Sequence, residues 1–190
     1  MMDRWTLPHT LNIGGKDYPI RYQFSAILDI LSAYSDPELD DDEKTEVLLT
    51  ILYPDFLVIP SEHIQEAVKK ACEFIDCGQK NEGKPKPKVM DWNQDADIII
   101  PAINKVAGME VRANPELHWW TFWGFFMSIG DSLFSSVLHI RRKKKSGKKL
   151  DKWEEEFYRE NKSLIDIRTP ESEEIKAEKA MLLQMLEGGG

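Results

Sequence analysis

Residues 118–145 of this chain of 190 residues read HWWTFWGFFMSIGDSLFSSVLHIRRKKK. Three tryptophans and three phenylalanines fall within its first nine residues, and a basic run ends it. Trp119, Phe122, Trp123 and Phe126 follow the i, i+3, i+4, i+7 spacing of one helix face. We therefore predict an amphipathic helix whose aromatic face packs against a neighbouring apolar helix.

The limits of this helix follow from its flanking residues. Asn114 and Pro115 are typical of an N-cap and a first helical residue, so we predict that the helix begins there. Gly130 is expected to end it, and Asp131 to start a second helix. The apolar positions of that second helix are Leu133, Val137 and Ile140.

A membrane span is the main alternative for the same stretch. A bilayer core requires roughly 20 predominantly apolar residues, and a cationic flank often follows such a span. Here Asp131 and three nearby serines interrupt the apolar run. Because an aspartate in mid-bilayer costs about 2.5 to 3.5 kcal/mol, two amphipathic helices explain the pattern better.

The whole chain is predicted to be mainly α-helical. A small N-terminal β-hairpin around Leu11–Ile20 and a first group of helices form one unit over residues 1–78. Residues 79–90 are polar and contain two prolines, which predicts a linker. A second helical unit with the aromatic core covers residues 91–168, and residues 169–190 are predicted to form a charged C-terminal helix or tail.

Composition restricts the function. The net charge of −8 argues against a general nucleic-acid binder, which needs a surplus of cations on its binding face. The N-terminus lacks the charged, apolar and small-residue regions of a secretory signal, so we expect the protein in the cytoplasm of the cell that makes it. Both cysteines are expected to remain thiols there.

The residues that could carry chemistry do not form a recognisable site. A zinc site needs closely paired ligands and a fourth ligand, and His63, Cys72 and Cys77 provide neither. Cys72 lies beside the apolar stripe of its helix, so we expect it to be a small residue of the protein core. His118 has no nucleophile at a known motif spacing, which favours a structural role. The acidic run Asp40–Glu43 lacks a calcium loop's glycine and predicts instead a favourable first helical turn. We expect no enzyme activity, metal, cofactor or small-molecule substrate.

The basic run leaves three interpretations open. Its first five members are Arg141, Arg142, Lys143, Lys144 and Lys145. Cations in the last turn of a helix are favoured by the helix dipole, so a solvated helix end is the first interpretation. Binding to an acidic protein partner is the second, and binding to nucleic acid is the third.

Three segments give the chain a resemblance to a known family. They are DWNQDADIIIPAINKVAGMEV from Asp91, HWWTFWGFF from His118, and SLFSSVLHIRRKKKSGKKLDKWEEEFY from Ser132. Together they resemble the gene-product-fifteen family of bacteriophage tail-morphogenesis proteins, which are encoded near the tape-measure gene in phages and prophages. The signature is His118-Trp119-Trp120 followed by Phe122, and the N-terminal part fits in outline only.

The resemblance implies a tail assembly chaperone or scaffold without enzyme activity. Its expected partner is the tape-measure protein or another tail protein, in the cytoplasm of the bacterial host, and self-association is a further expectation. A membrane-associated phage protein that uses residues 117–140, or a helical nucleic-acid binder, is the alternative. The residues that we expect to bind a partner are Trp119, Trp120, Trp123, Phe126 and the five basic residues Arg141, Arg142, Lys143, Lys144 and Lys145.

Overall fold

The computed structural model describes residues 5–79 and 88–168, and the predicted fold class is confirmed within them. The first part contains β1 (Thr10–Ile13), β2 (Lys16–Pro19), α1 (Phe24–Tyr34), α2 (Asp41–Leu52) and α3 (Ile64–Ile75). The second contains α4 (Ala96–Ala107), α5 (Trp119–Met127), α6 (Leu133–Lys145), α7 (Lys152–Glu160) and α8 (Lys162–Ile165). The predicted C-terminal helix or tail, residues 169–190, and residues 80–87 of the predicted linker lie outside the described residues.

The β-hairpin closes through two consecutive glycines. Ile13 pairs with Lys16, so Gly14 and Gly15 form a two-residue loop, and both have positive φ angles (58° and 81°). A loop of this kind requires positive φ at both positions, which glycine adopts at little cost. The turn lies against α3, because the backbone N–H of Gly14 donates to the carboxylate of Glu66 at 3.0 Å.

The peptide groups at both ends of α2 have hydrogen-bond partners. Asp40 and Glu43 form a capping box, which confirms the role predicted for the acidic run. At the other end, the guanidinium of Arg21 donates to the carbonyls of Thr50 and Ile51 (3.3 and 3.0 Å). The backbone N–H of Arg21 donates to the carbonyl of Leu52 at 2.8 Å. A single residue before α1 therefore satisfies three of the last four carbonyls of α2.

The aromatic helix starts later than the sequence predicts. Its N-cap is His118, and the helix begins at Trp119 rather than at Pro115. The reason lies in the chain before α1: the N–H of Trp119 donates to the carbonyl of Tyr22 (2.7 Å), and the N–H of Phe24 donates to the carbonyl of Leu117 (3.0 Å). This antiparallel pairing keeps the backbone extended up to His118.

The next helix also begins one residue later than predicted. Its N-cap is Ser132, whose hydroxyl accepts from the N–H of Ser135 at 3.1 Å, and not Asp131. Gly130 does lie between the two helices, as predicted. Leu133 is half exposed, whereas Val137 and Ile140 are buried.

One continuous cluster of buried side chains joins both parts of the described chain. Its fully buried members include Ile27, Ile30, Leu48, Leu52 and Phe74 from the first part, and Ile99, Ile103, Trp119, Phe122 and Ile140 from the second. Met90, in the last part of the predicted linker, packs against this cluster. The division into two units stays a prediction, but the described residues do not form two separate cores.

Gly14→Ala should lower the free energy of unfolding by about 1 to 2 kcal/mol, because alanine is strained at this φ angle. A Cβ on Gly14 would also lie 2.5 Å from Nε2 of His63, whereas a Cβ on Gly15 would meet nothing within 4 Å. Urea unfolding of Gly14→Ala, Gly15→Ala and Gly14→Ala with His63→Ala separates the two causes. If Gly14→Ala left stability unchanged, the turn would not have this conformation.

Candidate functional site

The imidazole of His118 positions the start of α5 through both ring nitrogens. Its Nδ1 accepts a hydrogen bond from the N–H of Trp120 at 3.0 Å. Since Nδ1 is the acceptor, the proton of the neutral ring lies on Nε2, which donates to the carbonyl of Pro8 at 3.0 Å. His118 is buried, and burial lowers its pKa. The neutral ring therefore has the structural role expected from the sequence.

The two tryptophans that follow His118 cap the end of α3. The indole N–H of Trp119 donates to the carbonyl of Ile75 (2.8 Å), and that of Trp120 donates to the carbonyl of Phe74 (2.9 Å). Both carbonyls belong to the last turn of α3, and that of Phe74 also accepts from the N–H of Cys77 at 2.9 Å. We call this pair of hydrogen bonds the tryptophan cap. It connects the described chain before residue 80 with the chain after residue 87.

The tryptophan cap corrects the role expected for Trp119. Only 1 % of its surface is exposed, so it cannot contact a partner while the protein is folded. Trp120 is half-buried, and its ring stacks on Phe74 with a centroid distance of 6.0 Å. The aromatic signature of the sequence is thus mainly a contact between helices of the same chain.

Part of the surface of Trp123 and of Phe126 is exposed to solvent, although both side chains pack against Trp92. The ring centroid of Trp92 lies 4.9 Å from that of Phe126 and 6.5 Å from that of Trp123. Both predicted residues are half-buried. The indole nitrogen of Trp123 is buried and has no hydrogen-bond partner among the described residues. Of the four aromatic residues predicted to bind a partner, Trp123 and Phe126 are therefore those with no hydrogen bond to α3.

Arg141 is buried and forms an ion pair, contrary to its predicted place on a solvated helix end. Its two terminal nitrogens donate to the carboxylate of Asp95 at 2.6 and 2.8 Å. The other N–H groups donate to the carbonyls of Val89, Leu164 and Ile165. All five donors of the guanidinium thus have acceptors, and α6 is joined to α8 and to the segment before α4.

Lys143 is half-buried and forms an ion pair rather than a free basic surface. Its ammonium group donates to both oxygens of Glu154 at 2.5 and 2.6 Å. Glu154 is buried, and it also accepts from His139 at 2.9 Å and from the N–H of Asp151 at 2.7 Å. The hydrogen bonds from Lys143 and from the backbone of Asp151 lower the pKa of Glu154 to about 2. This carboxylate fixes α7 against α6.

Lys144 has a carboxylate and an aromatic partner. It donates to Asp166 at 2.7 Å and lies 3.5 Å from the ring centroid of Tyr158. Partial burial alone would lower the pKa of Lys144, but the hydrogen bonds to Asp166 and Tyr158 raise it. Lys144 therefore remains charged and helps to hold the segment after α8.

Arg142 and Lys145 are the two members of the predicted basic set that have no carboxylate partner among the described residues. Both are exposed, and neither forms an ion pair with a described residue. Lys145 does donate a hydrogen bond to the carbonyl of Lys88. Lys148 and Lys149, which follow in the loop before α7, are also exposed. The expectation of one solvated basic run is therefore wrong for Arg141, which is buried. Lys143 and Lys144 keep part of their surface in solvent, but each is paired with a carboxylate.

A cleft of about 480 Å³ opens beside the end of α6. We call it the basic cleft, because it is lined by five cationic residues and only one acidic residue. The cationic residues are Lys88, Arg141, Lys144, Lys145 and Arg168; the remaining lining residues are Ile165, Asp166 and Ile167. The cleft is not apparent in the sequence, because it brings together residues that are up to 80 positions apart.

The described residues contain no group of three or more histidines, cysteines or acidic residues arranged to hold a metal ion. Cys72 is exposed, so its predicted place in the core is wrong: α3 buries Ala67, Ala71 and Phe74 on its other face. No helix within residues 5–79 and 88–168 has the length and apolar character needed to cross a bilayer.

Several large apolar side chains point to solvent at positions that the sequence analysis did not single out as binding residues. Between the start of α1 and the end of α8, the most exposed are Leu57 (93 %), Met127 (62 %), Val58 (59 %) and Trp153 (59 %). Leu57 and Val58 lie in a short 3-10 helix between Pro54 and Pro60, outside any helical apolar stripe. The two flanking prolines are a sequence signal that could have indicated a turn, but not which of its four apolar residues, Phe56 to Ile59, are exposed.

Arg141→Met should lower the free energy of unfolding by about 3 to 5 kcal/mol, because it leaves the Asp95 carboxylate buried without a countercharge. The control Arg142→Met removes the same charge from an exposed neighbour and should change stability by no more than about 0.5 kcal/mol. Chemical denaturation of both variants measures the difference. Equal effects of the two substitutions would contradict the buried ion pair.

Comparison with known proteins identifies the family. The model of the family described as Bacteriophage Gp15 protein matches residues 3–167, which include α5, α6 and both partners of the Asp95–Arg141 ion pair. No curated protein and no solved structure matches the chain. Since the match covers most of the sequence, the chain belongs to the bacteriophage Gp15 protein family.

Proposed function

We propose that this protein is a tail assembly chaperone or scaffold that binds the tape-measure protein and catalyses no reaction. Membership of the bacteriophage Gp15 family supports a phage-related role. The resemblance described in the sequence analysis supplies the connection to tail morphogenesis. In this proposal the protein acts in the cytoplasm of the bacterial host, before the tail tube forms around its partner.

The observation that carries the proposal is a set of exposed apolar side chains on a well-packed helical protein. Leu57 and Val58 are adjacent, and Met127 is the last residue of α5. Single exposed apolar residues are common on protein surfaces, but large apolar side chains exposed on fixed elements can shield apolar helices of a partner. A long helical partner with apolar faces would otherwise aggregate.

The charge distribution is compatible with this role. The net charge of −8 keeps a complex with an apolar partner soluble through repulsion between complexes. Arg142, Lys148 and Lys149 form a local exposed basic region that can accelerate encounter with an acidic segment. Neither feature requires contact with nucleic acid or with a membrane.

The proposal predicts that co-expression with the tape-measure protein of the same phage yields a complex and raises the soluble amount of that partner. Replacing Leu57, Val58 and Met127 by Ser should abolish co-purification while the fold is kept, because these side chains are exposed. A matched control replaces three exposed polar residues, Glu62, Gln65 and Thr50, by Ser. The measurements are pull-down yield and circular dichroism.

Two results would contradict the proposal. One is the absence of a complex when both proteins are folded and the salt concentration is low. The other is a complex that survives the apolar substitutions and is lost in the control. Binding to duplex DNA or to anionic vesicles, in place of the tail protein, would favour one of the alternatives instead.

A further inference from the structure

We propose that the basic cleft binds a carboxylate-bearing segment of a protein partner, and that Lys145 and Arg168 contact the carboxylate. The assignment of that segment to a tail protein rests on the proposed function. The binding of a carboxylate does not, because it follows from the charges and shape of the cleft.

The charges of the cleft are only partly compensated by the chain itself. Lys88 pairs with Asp91 at 2.7 Å, Arg141 pairs with Asp95, and Lys144 pairs with Asp166. Lys145 and Arg168 are the remaining cationic residues, and neither forms an ion pair with a described residue. Two cations that face the same cleft repel each other unless an anion lies between them.

The two residues are attached to rigid parts of the fold. Lys145 is in the last turn of α6, and its ammonium group donates to the carbonyl of Lys88 across the cleft. The backbone N–H of Arg168 donates to the side chain of Gln94 at 2.8 Å. A fixed backbone reduces the entropy that these side chains lose when they bind an anion.

Asp166 shows how the cleft accommodates a carboxylate. Its oxygens accept hydrogen bonds from Lys144 at 2.7 Å and from the hydroxyl of Tyr158 at 3.0 and 3.1 Å. Lys144 is therefore already paired with a carboxylate, whereas Lys145 and Arg168 are available to bind another one. A second carboxylate, supplied by a partner, would have two charge-assisted donors of the same kind.

The cleft fits a peptide better than a nucleic acid. Its wall includes Ile167, whose half-buried apolar side chain can contact an apolar residue next to the carboxylate, whereas Ile165 lies in the core beneath it. Nucleic-acid binding relies on several phosphate contacts along a basic surface. The chain carries a net charge of −8, and this cleft offers two uncompensated cations rather than a stripe of them.

The test measures binding of a labelled helical peptide of about 15 residues that alternates glutamate and leucine pairs. Fluorescence anisotropy with the full chain should give saturable binding that weakens as salt rises. Lys145→Gln with Arg168→Gln should weaken binding about tenfold or more, since two charged donors are lost. The control Lys69→Gln with Lys105→Gln removes two exposed charges elsewhere and should change binding less than about twofold.

Equal weakening in both double variants would overturn the proposal, because binding would then depend on net charge alone. Full competition by millimolar inorganic phosphate or by duplex DNA at the same residues would also overturn it, in favour of a phosphate site. Circular dichroism must show that both variants are folded. Failure of the tape-measure experiment with successful peptide binding would remove the proposed partner but not the site.

The chain's own acidic residues provide a third outcome. Residues 169–190 lie outside the described part, and their sequence includes Glu171, Glu173 and Glu174, which follow Arg168 by three to six positions. A full-length variant with these three residues changed to Gln should bind the peptide with an affinity within about twofold of the original. Peptide binding that occurs only in this variant would show that the ligand of the cleft is the chain itself, and would overturn binding of a partner.

Discussion

The indole N–H groups of Trp119 and Trp120 donate to the last two carbonyls of α3, and this contact joins the described chain before residue 80 to the described chain after residue 87. A buried carbonyl without a partner costs about 1 to 3 kcal/mol. The N–H of Cys77 already donates to the carbonyl of Phe74 (2.9 Å), so the indole of Trp120 is an additional donor there, and the indole of Trp119 donates to the carbonyl of Ile75. Both indole donors come from a segment more than 40 residues later in the chain. The same segment pairs with residues 22–24 through backbone hydrogen bonds, which places α1 and α5 side by side.

Side-chain donors from distant elements also bond to the terminal carbonyls of two other helices. Arg21 satisfies the end of α2, and Arg141 satisfies the end of α8 while it neutralises Asp95. In each case a long side chain with several donors reaches carbonyls that belong to a distant element. The helices are therefore connected by directional contacts as well as by the apolar core. Such contacts fix which surfaces remain exposed, and these surfaces are the ones available for a partner.

The sequence predicted which segments form helices better than it predicted which of their side chains are buried or exposed. Helical spacing predicted the aromatic face of α5, and Phe122 is fully buried as that spacing requires. The start of α5 could not be predicted, because Asn114–Pro115 is a good local start and the competing pairing with Tyr22 is not local. The role of Arg141 was equally inaccessible: Asp95 is 46 positions away, and a run of five cations gives no sign of which one is buried. Conversely, Leu57 and Trp153 are apolar residues that the fold leaves in solvent.

Hydrogen exchange of the double variant Trp119→Phe with Trp120→Phe tests the claim that the tryptophan cap holds α3, α1 and α5 together, because phenylalanine keeps an aromatic ring and removes the indole donor. Loss of the cap should give faster amide exchange in the last turns of α3 and in α1 as well as in α5. The control Trp153→Phe changes an exposed tryptophan and should leave exchange in these helices unchanged. Faster exchange confined to residues 118–127 of the double variant would contradict the claim.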